Sequence, residues 1–267
     1  MLRYAIFVDG ANLFGSLKKL SVQVTNYQSF YPYVFQEAVK IWNRGTAVQG
    51  GSSKAHSILR TYWYVVGTMD QIDIEDTRFQ GSLREQFEKD IDLRKTYRAV
   101  TLQNQPGIKR AELDNEIWKN FFVSVRDYYN LKKTQLDNMK KFFHGLRSDT
   151  DFVEVVECGH WKVNLFNKYV MEKGVDTQLA VDLVTLADTY DVALVISGDA
   201  DSIPGINYVK RLGKQVGAVE FLRGTGNTYK TKQFSNRLGA AADFTVKIYE
   251  SELIKNGLAK SIKSEGE

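Results

Sequence analysis

The chain is poor in the residues that staple or interrupt small folds. A single cysteine, Cys158, among 267 residues rules out an internal disulfide framework and fits a reducing compartment. The histidines are also few: His56, His144 and His160 are scattered, and "CGH" at 158–160 lacks the further ligands a structural zinc site needs. With three prolines and no low-complexity block, no linker stands out, and no internal repeat is present. No apolar run is long enough to span a bilayer. The opening "MLRYAIFVDG" has Arg3 where a signal peptide has its basic residue, but Asp9 cuts the apolar run too soon, so the stretch is expected to be a strand of a cytoplasmic protein.

What is present is ordinary for a soluble globular domain: 43% hydrophobic residues, 25% charged residues and a net charge of +4, which permits a polyanionic partner without requiring one. Continuous apolar runs of the kind buried on both faces predict strands at Tyr4–Val8, Ile58–Val66, Phe152–Cys158, Val192–Ile196 and Gln215–Phe221. Helical patterns occupy Asn12–Leu20, Tyr33–Trp42, Asp176–Tyr190 and Ile203–Arg211. This alternation implies an α/β fold, a parallel sheet flanked by helices. From about Gly67 to Asp149 the rhythm breaks into charged amphipathic helices with aromatic stripes, which read as a helical insertion between the second and third strands. Aromatic residues at helical spacing there, such as Trp118, Phe121, Phe122, Tyr128 and Tyr129, are first of all packing residues, although such a surface could also support self-association into a homo-oligomer. The Gly- and Ser-rich stretch Thr46–His56 is expected to be a loop, and residues 251–267 a polar tail.

Carboxylates recur at one edge of this scheme. Asp9 ends the first strand; Asp199 and Asp201 follow the strand Val192–Ile196 in "SGDADSIPG"; Asp176 opens a helix after "EKGV". In open α/β sheets the carboxyl ends of the strands form the ligand crevice. Crowded carboxylates repel one another unless a cation lies between them, and Mg²⁺ is commonly held by a few such oxygens. Each acid also has a plain structural alternative. Asp199 could start a turn before Pro204, Asp176 could cap its helix, and Asp9-Gly10 is a common turn dipeptide. Their coincidence at one sheet edge favours a site. Asp182 lies six residues beyond Asp176 and so does not share its helical face.

In this order, "FVDGANL" (7–13), "KGVDTQLAVDLV" (173–184), "VISGDADSIPGINYVKRLGKQV" (195–216) and "LGAAADF" (238–244) resemble the NYN domain, the LabA-like branch of the PIN-like metal-dependent nucleases. The resemblance covers the first strand and most of 152–249, and it implies a PIN-like sheet within residues 1–250, interrupted at about 67–149. It also implies phosphodiester hydrolysis, usually of RNA, with Mg²⁺ or Mn²⁺ held by Asp9, Asp176, Asp199 and Asp201 and with Asn12 as an accessory polar group. Asp182 and Asp243 match further recurrent acids of the family, in supporting or structural roles. Ser202 departs from the pattern, which usually has an aromatic residue after the second aspartate.

Cations cluster after the two aspartates. Between Asn207 and Arg237 stand Lys210, Arg211, Lys214, Arg223, Lys230, Lys232 and Arg237 against the single acid Glu220. "RGTGNTYKTKQFSNR" adds Tyr229 and Phe234, which could stack on unpaired bases. Arg223, Lys230, Lys232, Lys210 and Arg237 are therefore the candidate contacts to RNA or single-stranded DNA, and Lys173, just before Asp176, is a further candidate phosphate contact. The bland alternative is a solvated basic loop. A haloacid-dehalogenase-type phosphatase is disfavoured because Ala11 stands where it needs a second acid, and a TOPRIM fold because it would have glutamate in place of Asp9. The expected activity is that of a metal-dependent endoribonuclease; the rival is an RNA-binding or assembly module that keeps the acids without turnover.

Overall fold

The computed structural model describes residues 1–48, 54–225 and 236–262. It divides into two compact units. The first comprises Met1–Val66, Phe142–Gly159 and the described residues from Gly174 onward; the second comprises Gly67–Lys141 and His160–Lys173.

The first unit is built on β1 (Leu2–Asp9), whose residues Tyr4 to Val8 are all fully buried. Both faces of this strand are covered, which is why its sequence is continuously apolar rather than alternating. The helix α1 (Gly10–Lys19), the short strand β2 (Val22–Val24) and the helix α2 (Tyr27–Val48) follow it. Next comes β3 (His56–Met69), which pairs in parallel with β1 so that Asp9 lies opposite Tyr64. After α3 (Thr77–Lys89), α4 (Ile91–Asn104), α5 (Arg110–Asp149), β4 (Val153–Asn164) and β5 (Tyr169–Lys173) come α6 (Val175–Thr185), β6 (Val192–Ile196), α7 (Ile203–Arg211), β7 (Gln215–Leu222), α8 (Asn236–Ala241), β8 (Phe244–Tyr249), α9 (Glu250–Lys255) and β9 (Ala259–Ser261). The strands of this unit run in the order β4-β3-β1-β6-β7-β8. Parallel pairing links β1 to β6, β6 to β7 and β7 to β8, so the sheet is mostly parallel and flanked by helices. The chain winds outward from β1 to one side and then returns through β6 to the other, so the order reverses between β1 and β6.

Two elements depart from the sequence pattern for clear reasons. The helix α2 starts at Tyr27, ahead of the expected Tyr33, with Asn26 capping it through a bond from Ser29 N (3.0 Å). Pro32 therefore sits inside the helix, and the buried rings of Phe30 and Tyr31 anchor the turn that a proline would otherwise weaken. At its other end α2 runs into the stretch expected to be a loop, of which residues 49–53 lie outside the described residues. Part of the expected C-terminal tail is built into the fold as α9 and β9, and β9 pairs antiparallel with β2.

The second unit holds α3 (Thr77–Lys89), α4 (Ile91–Asn104) and α5 (Arg110–Asp149) up to Lys141. It also holds the far half of β4 (Val153–Asn164), which forms an antiparallel hairpin with β5 (Tyr169–Lys173). The unit thus combines helices from Gly67–Lys141 with this hairpin. Its aromatic stripes are partly consumed in packing: Phe87 and Phe121 are buried and stack at 4.4 Å, and Tyr129 is buried with its hydroxyl donating to Asp70 O at 3.1 Å, while Trp118, Phe122 and Tyr128 are half-buried.

Candidate active site

Asp9 is the last residue of β1 and only 2% exposed. It caps α1: Oδ1 accepts from Asn12 N at 2.9 Å and Oδ2 from Asn12 Nδ2 at 2.5 Å. Strand, carboxylate and helix are therefore locked together, and Asn12 holds both carboxylate oxygens. Gly10 makes this junction possible, because a Cβ there would meet Trp63 Nε1 at 2.7 Å and Tyr64 O at 2.9 Å.

Asp176 lies in the first turn of α6 but does not cap it. The N-cap is Gly174, in the left-handed region at φ +93°, and no side chain bonds the helix start. Asp176 Oδ1 is buried without a hydrogen-bond partner. Burial, then Asp9, then Asp199 and Asp201 push its carboxyl up to about 6. Asp9, Asp199 and Asp201 are thus all near enough to act on Asp176, beside the point where the strand order reverses.

The other two acids are exposed. Asp199 follows β6, its N–H donating to Ser197 Oγ at 3.1 Å, and it starts a single 3-10 turn, Ala200–Ser202, by accepting from Asp201 N at 3.3 Å. Ser202, 1% exposed, donates its hydroxyl to Asp199 O at 3.3 Å, so this departure from the family pattern faces inward and braces the turn. Ser197 was not singled out from the sequence; its place between an apolar strand and Asp199 is the only signal it offered. Among the described residues, no three Asp, Glu, His or Cys side chains stand together as a ready-made metal cage. The donor set nonetheless suits a hard divalent ion: four carboxylates, one with a buried oxygen lacking any partner.

The accessory candidates separate. Asp182 accepts from Gln178 Nε2 at 2.9 Å and, after burial, is the main cause holding the Tyr64 phenol well above its usual value. It acts on the tyrosines of β3 and does not figure among the groups that shift Asp176. Lys173 is exposed and belongs to the second unit. Of the basic candidates, Lys210 pairs with Asp243 at 3.0 Å and donates to Ala241 O at 2.7 Å, while Asp243 also accepts from Val216 N. Arg223 donates to Lys19 O at 2.9 Å and lies 3.8 Å from Glu250. Arg237 is exposed in α8; Lys230 and Lys232, like Tyr229 and Phe234, lie outside the described residues. In the second unit His160 is engaged by Asp70 (2.8 Å) and Thr68 (2.9 Å), so it braces β3 and β4 there.

No helix among the described residues is long and apolar enough to cross a membrane. No curated protein matches the chain. A protein of unknown function from Vibrio parahaemolyticus, known from its crystal structure, is similar at 12% identity and a TM-score of 0.40, over 93% of this chain and 94% of that one. The NYN domain matches residues 71–248, which include Asp176, Asp182, Asp199 and Asp201 and run through the helical stretch that had shown no counterpart, but leave out Asp9 and Asn12. NYN domains are typically nucleases of the PIN-like type, and PIN-like nucleases generally use divalent metals. With more than half of its length matched, the chain belongs to the NYN domain family.

Proposed function

We propose that the chain is a divalent-metal-dependent nuclease that hydrolyses phosphodiester bonds, acting as an endoribonuclease on single-stranded or structured RNA. Asp176 carries this reading. Its carboxyl is raised to about 6 by burial and by three other carboxylates, and one of its oxygens is buried with no partner. Helix capping does not require it, since Gly174 supplies the N-cap. A crowded, half-desolvated acid is unfavourable for folding and is a mark of a functional site.

Asp9, Asp176, Asp199 and Asp201 would hold Mg²⁺ or Mn²⁺. When bound, the ion supplies an activated water and offsets negative charge on the attacked phosphate. Asn12 fixes Asp9 through both oxygens, each of which keeps a second lone pair for a cation. Ser197 and Ser202 hold the turn that presents Asp199 and Asp201 to solvent, where a phosphate can reach them. Asp176 must lose its proton before it can be a ligand, so metal affinity is expected to rise with pH through about 6.

The test incubates the purified chain with mixed RNA and single-stranded DNA in Mn²⁺, Mg²⁺ or EDTA. RNA fragments should form only with metal and should vanish with Asp176→Asn. Cleavage in EDTA, or cleavage by Asp176→Asn at the parent rate, would overturn the assignment. RNA bound but intact in both metals would instead mark the chain as an RNA-binding module.

A further inference from the structure

The cations that follow the two aspartates are not equivalent. Lys210 is held by Asp243 and Ala241 O, Lys214 donates to Tyr190 O at 2.9 Å, and Arg223 is held by Lys19 O beside Glu250. Each of these positive charges is tied to the protein. Arg211 differs: it is exposed, and its side chain makes no bond among the described residues.

The helix α7 places this free guanidinium in a row. Gly205, Ile206 and Val209 are buried on its inner side, and a Cβ at Gly205 would lie 3.2 Å from Ala180 O of α6. On its outer side Pro204, Asn207, Tyr208 and Arg211 are all exposed, Tyr208 by 50%. Positions three, four and seven apart share one helical face, so these residues form a single ridge. Asp201, also exposed, stands on the turn that leads into it. The ridge is therefore continuous with the candidate active site and carries one aromatic ring followed, one turn on, by one unpaired arginine.

We propose that this face of α7 is a docking track for single-stranded RNA, with Tyr208 stacking on an unpaired base, Arg211 contacting a phosphate and Asn207 bonding a base edge or ribose. The chemistry favours this occupant. A half-exposed ring on a rigid helix offers a flat apolar face at small entropic cost, and bases stack on such rings irrespective of sequence. An exposed arginine binds phosphate through a fork of donors and can lie against an aromatic plane. A duplex keeps its bases stacked on each other and has none to offer Tyr208, so the track selects unpaired strands. This inference rests on the nuclease reading for the direction of the strand, since it leads the RNA from Tyr208 toward Asp201. Binding itself can be measured apart from turnover.

The experiment measures fluorescence anisotropy of a labelled oligouridylate and of an RNA duplex of equal length, in EDTA, with the full chain. Tyr208→Ala should weaken oligouridylate binding on the order of tenfold and leave the duplex nearly unchanged, while Tyr208→Phe, which keeps the ring, should restore the parent affinity. Arg211→Ala should weaken both RNAs and flatten the salt dependence for the single strand by about 0.7 in log–log slope, the loss of one phosphate contact. Both positions are exposed, so thermal melts should match the parent, and a matched melt excludes misfolding as the cause. Parent-like binding by Tyr208→Ala and Arg211→Ala, or equal loss on duplex and single strand with Tyr208→Ala, overturns the track whether or not the parent cuts RNA. Tyr208-dependent binding by a parent that never cuts would instead uphold the track and reject the nuclease.

Discussion

Asp9 and Asp176 differ from Asp199 and Asp201 in how the protein holds them. Asp9 is nearly inaccessible and bonded through both oxygens, and Asp176 has an oxygen buried with no partner at all. Asp199 and Asp201 are exposed on one short turn, joined only by a 3.3 Å bond between them. One half of the site is set in the rigid junction of strand and helix and bears the desolvation and repulsion. The other half stands exposed to solvent on a turn held by Ser197 and Ser202. The same residue type at the same sheet edge therefore has opposite relations to stability, and substitutions should separate them.

The largest effect is expected at Asp9. Asp9→Ala removes the cap of α1 and leaves Asn12 Nδ2 without its acceptor, and it also removes one of the four carboxylates. Loss of a helix cap costs on the order of 1–2 kcal/mol. Urea unfolding should show a loss of that order without added metal, and RNA cleavage should disappear. A variant as stable as the parent would mean that the two bonds from Asn12 contribute nothing net.

These contrasts were partly legible in the sequence. The strands β1, β6 and β7 and the placement of Asp9, Asp199 and Asp201 at strand ends follow from continuous apolar runs that stop at acids, a local signal. The strands β2, β5, β8 and β9 do not stand out in the sequence: β2 and β9 have three residues each and form a separate pair, and β5 and β8 are edge strands, where burial depends on neighbours far along the chain. The helix α6 was expected to reach Tyr190 but stops at Thr185. Leu186 to Thr189 turn back on themselves through bonds such as Thr189 N to Leu186 O, which a helical apolar pattern does not exclude. Charge was the least legible property. Lys210 and Arg223 read as free cations until Asp243 and Glu250, remote in sequence, are brought beside them. Similarly, nothing local distinguishes Asp176, which is raised by its neighbours, from a plain helix cap.

The second effect concerns that raised carboxyl. In the folded chain without metal, Asp176 titrates near 6, well above the ordinary aspartate value of 3.8. The folded state thus holds its proton more tightly than the unfolded chain does. Its contribution is most favourable below about pH 4 and is lost as pH rises through 6. Asp176→Asn cannot ionise, so its melting temperature should show less of this fall, and at pH 7 in EDTA it should melt at or above the parent. With Mn²⁺ the order should reverse, because only the parent gains stability linked to binding a ligand. A variant that melts far below the parent in EDTA would make Asp176 a structural residue.

The smallest effect on stability, and the sharpest test of the comparison, lies at Asp201. Its carboxylate is exposed, and the bond it makes to Asp199 uses its backbone N–H, which Asn supplies equally well. Asp201→Asn should therefore change unfolding free energy by no more than about 0.5 kcal/mol in EDTA, the usual range for surface substitutions. Metal response is a separate matter. If the exposed pair completes the ligand set, Asp201→Asn should need a higher Mn²⁺ concentration to reach the stabilisation that the parent reaches, and cleavage should fall with it. Melts across a Mn²⁺ titration distinguish the outcomes. A variant with the parent's metal response would confine the ion to the buried half of the site. A variant that is destabilised without metal would show instead that the turn at 199–202 needs the Asp201 charge for its own folding.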